Sequence, residues 1–292
     1  MVSDRPNVIY IMGTGRSGST VLEILLSQSL KAFGAGELFN LLEDGYDRNA
    51  ECSCGQSFSD CDVWSQLKRE VSITQRNRIA LQRESKALEK HVGCLQAVVG
   101  LKTISKGYAD FNDRVFRTLR DINGVKYIID SSKYPGRALA LHRLHAENVW
   151  VIWLTRSPNG ILRSFQKPNK DEQKPKNPIM AAAYIGYVTL MAYLAKRKLG
   201  SRCLTIKYED LIENPVREMN LIESWSGIDL SYPKKLVTED RELSVGHLVT
   251  ANRIRKNKRI KLSRDNKPVD YGFGSRFLAT GLKLWYRLLG IG

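Results

Sequence analysis

With 292 residues and 42% hydrophobic content, the chain is long and apolar enough to bury the core of one large α/β domain, which excludes global disorder. Its formal net charge of +16 requires an anionic partner: nucleic acid, a membrane surface, or a phosphorylated or sulfated ligand. The basic clusters lack the interleaved aromatics of a single-strand binding face, and no zinc-finger or RNP signature accompanies them, so no nucleic acid is predicted.

Met1 to Pro6 contains no apolar stretch of signal-peptide type, which predicts a cytoplasmic chain. Asn7 to Met12 is a run of β-formers, and Val21 to Leu26 carries apolar residues at helical spacing. Between them lies Gly13-Thr14-Gly15-Arg16-Ser17-Gly18-Ser19-Thr20. A strand, a glycine-rich turn and a helix in that order make a phosphate cradle, because glycines let backbone N–H groups approach an anion at a helix N-terminus. Ser19 stands where a nucleotide-hydrolysing P-loop carries its lysine, and the cation sits at Arg16 instead.

A short second strand after Lys31 delivers Gly36-Glu37, a carboxylate beside the first loop that could serve as general base or simply be solvated. Cys52, Cys54 and Cys61 form a cluster whose spacing matches no common four-ligand zinc pattern, with only three thiols local and no histidine nearby. A disulfide, a partial metal site and buried thiols stay open there, and no metal is predicted. Ile73 to Gln96 and Tyr108 to Ile122 predict amphipathic helices, so residues of about 46–122 read as an insertion covering an acceptor pocket.

The strand from Val125 to Asp130 leads into Ser131-Ser132-Lys133 and a helix starting at Pro135. An aspartate there could hold magnesium in a nucleotidase, or could orient Lys133 or cap the helix. Asn148 to Thr155 is a buried strand ending in Arg156-Ser157-Pro158, with Ser164 two helical turns on; Arg156 and Ser164 can converge on one phosphate. Residues 167–178 predict a lid or a solvated connector, and Ile179 to Ala195 a buried helix too short to span a membrane. A strand to Lys207 precedes Tyr208-Glu209-Asp210-Leu211, where Tyr208 could line a nucleotide pocket. The basic C-terminal segment of about 243–292 holds Arg253 and Arg255, then an end from Arg276 to Leu289 that suits either a membrane surface or core docking.

Taken together, these motifs resemble the sulfotransferases that use 3′-phosphoadenosine 5′-phosphosulfate (PAPS), in particular the bacterial and tyrosylprotein-like branch with arginine in the phosphosulfate loop. The resemblance rests on the loop from Gly13 to Thr20, on Gly36-Glu37, on Asp130-Ser-Ser-Lys133, on Arg156-x-Pro-x5-Ser164, on Tyr208-Glu-Asp-Leu and on the cysteine pattern. It implies a single α/β domain over 1–292: a P-loop-like three-layer sandwich, mostly parallel, with helices on both faces. By the resemblance Glu37 is the base, and Arg16 and Lys133 stabilise the bridging oxygen. Arg156 with Ser164 then anchors the 3′-phosphate, while Tyr208 and a C-terminal arginine, Arg255 rather than Arg253, close on PAPS. The family's glycine is replaced at Ala251. A carbohydrate, lipid, phenol or peptide all fit as acceptor. A P-loop NTPase or kinase using Mg-ATP and a non-catalytic anion-binding protein are the alternatives.

Overall fold

The strands β1 (Asn7–Gly13), β2 (Ala32–Gly34), β3 (Tyr127–Lys133), β4 (Val149–Thr155) and β5 (Cys203–Lys207) pair in parallel in the order β2-β3-β1-β4-β5. The structure is a computed structural model and describes residues 5–100, 103–166, 177–250, 253–262 and 273–291. The central β1 is covered on both sides, which is why it reads as an unbroken apolar run. Its Val8, Tyr10 and Met12 belong to one core, together with Ile128 of β3 and Val149, Val151 and Trp153 of β4. Ile9 and Ile11 point into the other, with Ile129, Ile152 and Leu154.

Helices fill both layers. On the second face lie α1 (Ser19–Leu26), α9 (Tyr208–Glu213), α10 (Pro215–Ser226) and α11 (Ser231–Thr238). The first face carries α2 (Asp62–Glu70), α3 (Gln75–Glu89), α4 (His91–Val98), α5 (Lys106–Asn123), α6 (Pro135–His145), α7 (Pro158–Gln166), α8 (Pro178–Leu199) and α12 (Phe273–Leu288). The helices of 46–122 therefore share one apolar core with the sheet. A short antiparallel pair, β6 (Leu243–Ser244) with β7 (Arg259–Ile260), follows α11.

Two elements differ from the sequence reading. β3 continues past Asp130 to Lys133, with a register irregularity opposite Tyr10 and Met12, and Lys133 ends it at φ 73°. The apolar stretch after residue 178 forms a 22-residue helix, α8, about 33 Å long, so by length and composition it could cross a membrane. It instead packs on α4, α6, α7 and α12 with one face, burying Ala181, Ile185, Val188, Ala192 and Ala195, while Ile179, Met180 and Tyr187 stay exposed. Residues 167–176 of the lid or connector expected over 167–178, together with Ala251, Asn252 and the side chain of Arg253, lie outside the described residues.

Candidate active site

The carboxyl ends of β1 and β4 lie side by side at the centre of the sheet, and the glycine-rich loop leaves the first of them. Gly18 caps α1 at φ 97°, a left-handed conformation that favours glycine, and a Cβ there would meet the Tyr208 ring at 2.2 Å. The ring can bring its edge this close to the loop because nothing projects from Gly18. On it rests the Arg156 guanidinium, 4.3 Å from the centroid, and the same group donates to the Arg16 carbonyl at 3.0 Å. Glu209 accepts from the Ser157 amide at 3.0 Å and so ties the two strand-end turns together. Ser157 also caps α7 through the Gly160 amide at 3.3 Å, which puts half-buried Ser164 two turns into that helix.

The loop itself fits an anion. Arg16 takes φ 69°, Ser19 and Thr20 open α1, and the Ser17 hydroxyl is buried with no hydrogen-bond partner among the described residues. A buried hydroxyl without a partner costs about 1–3 kcal/mol, a penalty that a phosphate oxygen would relieve. Thr14 accepts from the Ser17 amide at 3.2 Å, and the Gly15 amide donates to the Tyr184 hydroxyl at 3.1 Å.

Glu37 and Lys133 form a second group. Each is mostly buried, at 17% and 18% side-chain exposure, and they make a direct ion pair. Glu37 follows β2 by three residues, and its amide donates to the Thr250 carbonyl at 2.8 Å. Gly36 has φ 76° with the same segment against it, since a Cβ would lie 2.6 Å from the Thr250 oxygen. Helix α1 reaches over to this turn: Glu23, wholly buried, accepts from the Gly36 amide at 2.6 Å and the Ser131 hydroxyl at 2.6 Å. Burial pushes the Glu23 carboxyl up to about 8. The anion loop and the Glu37 turn are thus coupled through one helix. Tyr184 adds a second link, because its hydroxyl, held by Gly15, also senses the Glu37 charge, and burial raises its pKa.

Asp130 does not orient Lys133, cap α6 or face a cation site. Its carboxylate is fully buried, accepts from the Ser132 amide at 3.0 Å and the Ser132 hydroxyl, and pairs with Arg137 at 2.8 Å. Arg137 continues to Glu89 at 3.0 Å, which accepts from the Tyr108 hydroxyl at 2.6 Å. Ser132 accepts in turn from the Phe39 amide at 2.9 Å, and Ser131 donates to Glu23, so both serines brace the Glu37 turn. With both carboxylate oxygens engaged inside the core, Asp130 is not placed as a magnesium ligand. Arg255 donates to the Glu51 carbonyl at 2.6 Å.

Sequence reasoning missed Glu23, Arg137 and Tyr184. Glu23 sits in an apolar helix and Tyr184 in an apolar run, and neither position advertises the turn it braces. The glutamate inside an otherwise hydrophobic first helix was the available signal, since a charge on a buried face needs partners.

A model described as the sulfotransferase family matches residues 6–232 of the chain. Among solved structures, a sulfotransferase domain from the curacin biosynthetic pathway is similar, with 16% identity, TM-score 0.50, and 95% of this chain and 98% of that one covered. A sulfotransferase domain from the Synechococcus PCC 7002 olefin synthase has 17% identity and TM-score 0.45, with 97% of each chain covered. At such identity the first likeness speaks for the fold alone. No curated protein sequence matches the chain significantly.

Proposed function

Since this chain belongs to the sulfotransferase family, we propose that it transfers a sulfuryl group from PAPS to a hydroxyl or amine acceptor by in-line displacement. The observation that carries this reading is the stack of Gly18, Tyr208 and Arg156 beside the ion pair of Glu37 and Lys133. One group suits a nucleotide's phosphates, the other a proton transfer and a developing negative charge.

When bound, PAPS supplies an activated sulfuryl group on a phosphate leaving group. The loop from Gly13 to Thr20 holds the 5′ end with backbone amides, the Ser17 hydroxyl and the Arg16 cation. Arg156 and Ser164 hold the 3′-phosphate, with the guanidinium fork kept in orientation by Tyr208. Arg255 closes on the donor from the C-terminal side. Glu37 takes the acceptor's proton, a role worth about 10²–10⁴ in rate, and Lys133 with Arg16 neutralises the charge appearing on the bridging oxygen. These fixed cations supply the electrostatic stabilisation. Phe277, Leu284 and Leu288 stand exposed on α12 among Arg276, Lys283 and Arg287, which supports peripheral contact between a cytoplasmic protein and an anionic membrane.

The test is release of 3′-phosphoadenosine 5′-phosphate (PAP) from radiolabelled PAPS in the presence of carbohydrate, lipid, phenolic and peptide acceptors. Acceptor-dependent release with the label moving to the acceptor, abolished in Glu37→Gln, supports the proposal. No transfer to any acceptor by a protein that binds PAPS would leave a donor-binding protein without turnover.

A further inference from the structure

Four side chains converge from segments nearly 200 residues apart. Cys52, Cys54 and Cys61 meet His247, and the ligating atoms of all four lie within 4.8 Å of one another. Cys52 and Cys61 are buried, and the other two half-buried. The local sequence offers only the three thiols; the fourth group arrives from the far end of the chain through tertiary structure.

The distances discriminate between chemistries. The Cys52 and Cys61 sulfurs are 3.7 Å apart, and His247 Nδ1 is 3.2 Å from Cys61 and 3.9 Å from Cys52. A disulfide needs about 2.05 Å, and all five cysteines are free. A tetrahedral zinc with ligands at about 2.3 Å for sulfur and 2.0–2.1 Å for nitrogen sets S···S edges of about 3.8 Å and S···N edges of about 3.6 Å. The observed sulfur edge matches the first value, and the two nitrogen distances bracket the second.

We propose that Cys52, Cys54, Cys61 and His247 bind one zinc ion in a closed, structural Cys3His site. Thiolates with one imidazole favour zinc over magnesium or calcium, and four protein ligands leave no open position for a reacting water. Outer contacts hold the ligands in register. The Trp64 indole donates to the His247 carbonyl at 2.9 Å, the Cys52 amide donates to the Gln56 carbonyl at 2.8 Å, and the Gly55 amide returns to the Cys52 carbonyl at 2.9 Å.

The ion staples two segments that are otherwise joined only by hydrogen bonds and packing. Ser53 donates from its hydroxyl to Gly246 at 2.7 Å and from its amide to Leu248 at 3.1 Å, and accepts from the Leu248 amide at 2.7 Å. Two residues further on, Thr250 receives the Glu37 amide. Zinc therefore fixes the strip of chain against which the Glu37 turn rests.

The experiment is elemental analysis of the purified full-length protein, with cobalt exchange read by visible absorption and thermal unfolding with and without a strong chelator. One zinc per chain, the intense visible bands of tetrahedral thiolate-bound cobalt, and a lower Tm after chelation support the site. His247→Ala should lose the zinc, whereas His247→Cys should retain it and change the cobalt spectrum. Wild-type protein that purifies folded and zinc-free, and gains neither thermal stability nor cobalt bands when the metals are added, overturns the proposal, as does a Cys52–Cys61 disulfide in protein kept under reducing conditions. None of these readouts depends on PAPS or on turnover.

Discussion

Glu37 and Lys133 reach each other from the ends of neighbouring strands, so each can be removed without touching the anion loop. Glu37→Gln should lower turnover by about 10²–10⁴ while leaving PAP affinity unchanged, measured by label transfer and calorimetry. A variant that loses affinity and turnover in parallel would assign Glu37 to binding. Gly18→Ala tests the loop: a Cβ at φ 97° and 2.2 Å from the Tyr208 ring costs about 1–2 kcal/mol in backbone strain before the ring is displaced, so the Tm falls and PAP binding weakens. Glu23 makes a pH prediction. Its folded-state pKa of about 8 lies above its ordinary value of 4.5, so the folded protein binds the extra proton between those values. Stability is then full below about pH 4.5 and is lost as pH rises through about 8, with a slope approaching about 1.4 kcal/mol per pH unit. Glu23→Gln, whose amide oxygen still accepts from Gly36 while its NH2 donates to the Ser131 hydroxyl, carries no titrating group and should flatten the pH dependence of Tm over that window.

At the scale of elements, α6 is held against β3 by the buried Arg137, flanked by Asp130 on one side and Glu89 on the other. Arg137→Met leaves two buried carboxylates without their cation, a loss of about 3–5 kcal/mol that urea denaturation would register. If stability were unchanged, the carboxylates would have to be protonated or satisfied elsewhere. Helix α12 carries its own test. Its Ala279, Leu282 and Tyr286 dock on the core, so replacing the outward Phe277, Leu284 and Leu288 by serine should leave the fold intact and abolish co-sedimentation with anionic vesicles. Much of this was legible in the sequence. The strand, loop and helix around Gly13 to Thr20 follow from local periodicity and glycine spacing, and Ser157-Pro158 announces its helix start. The end of β3 was misread because serines and a lysine are poor β-formers. The two serines stay in the strand because Asp130, Glu23 and Phe39 satisfy their polar groups from elsewhere in the fold, and Lys133 ends it at φ 73° against Glu37.

For the whole molecule, the charge of +16 leads to the expectation of an anionic partner without placing it. The motifs narrow the search, because Arg156, Tyr208 and Gly18 each lie at a strand end or loop and meet at the carboxyl ends of the parallel strands, where we propose the donor binds. What stayed hidden depends on long-range contacts that no spacing encodes: His247 closes a cluster begun at Cys52, and Tyr184 of α8 reaches Gly15 in the first loop. The most direct measurement is calorimetric titration of wild type and Arg156→Ala with PAP, AMP and Mg-ATP. Preference for PAP over AMP, independent of magnesium and lost in the variant, is the expected result. Equal or tighter binding of Mg-ATP, with Arg156 making no difference, would contradict a PAPS site and point to a P-loop nucleotidase.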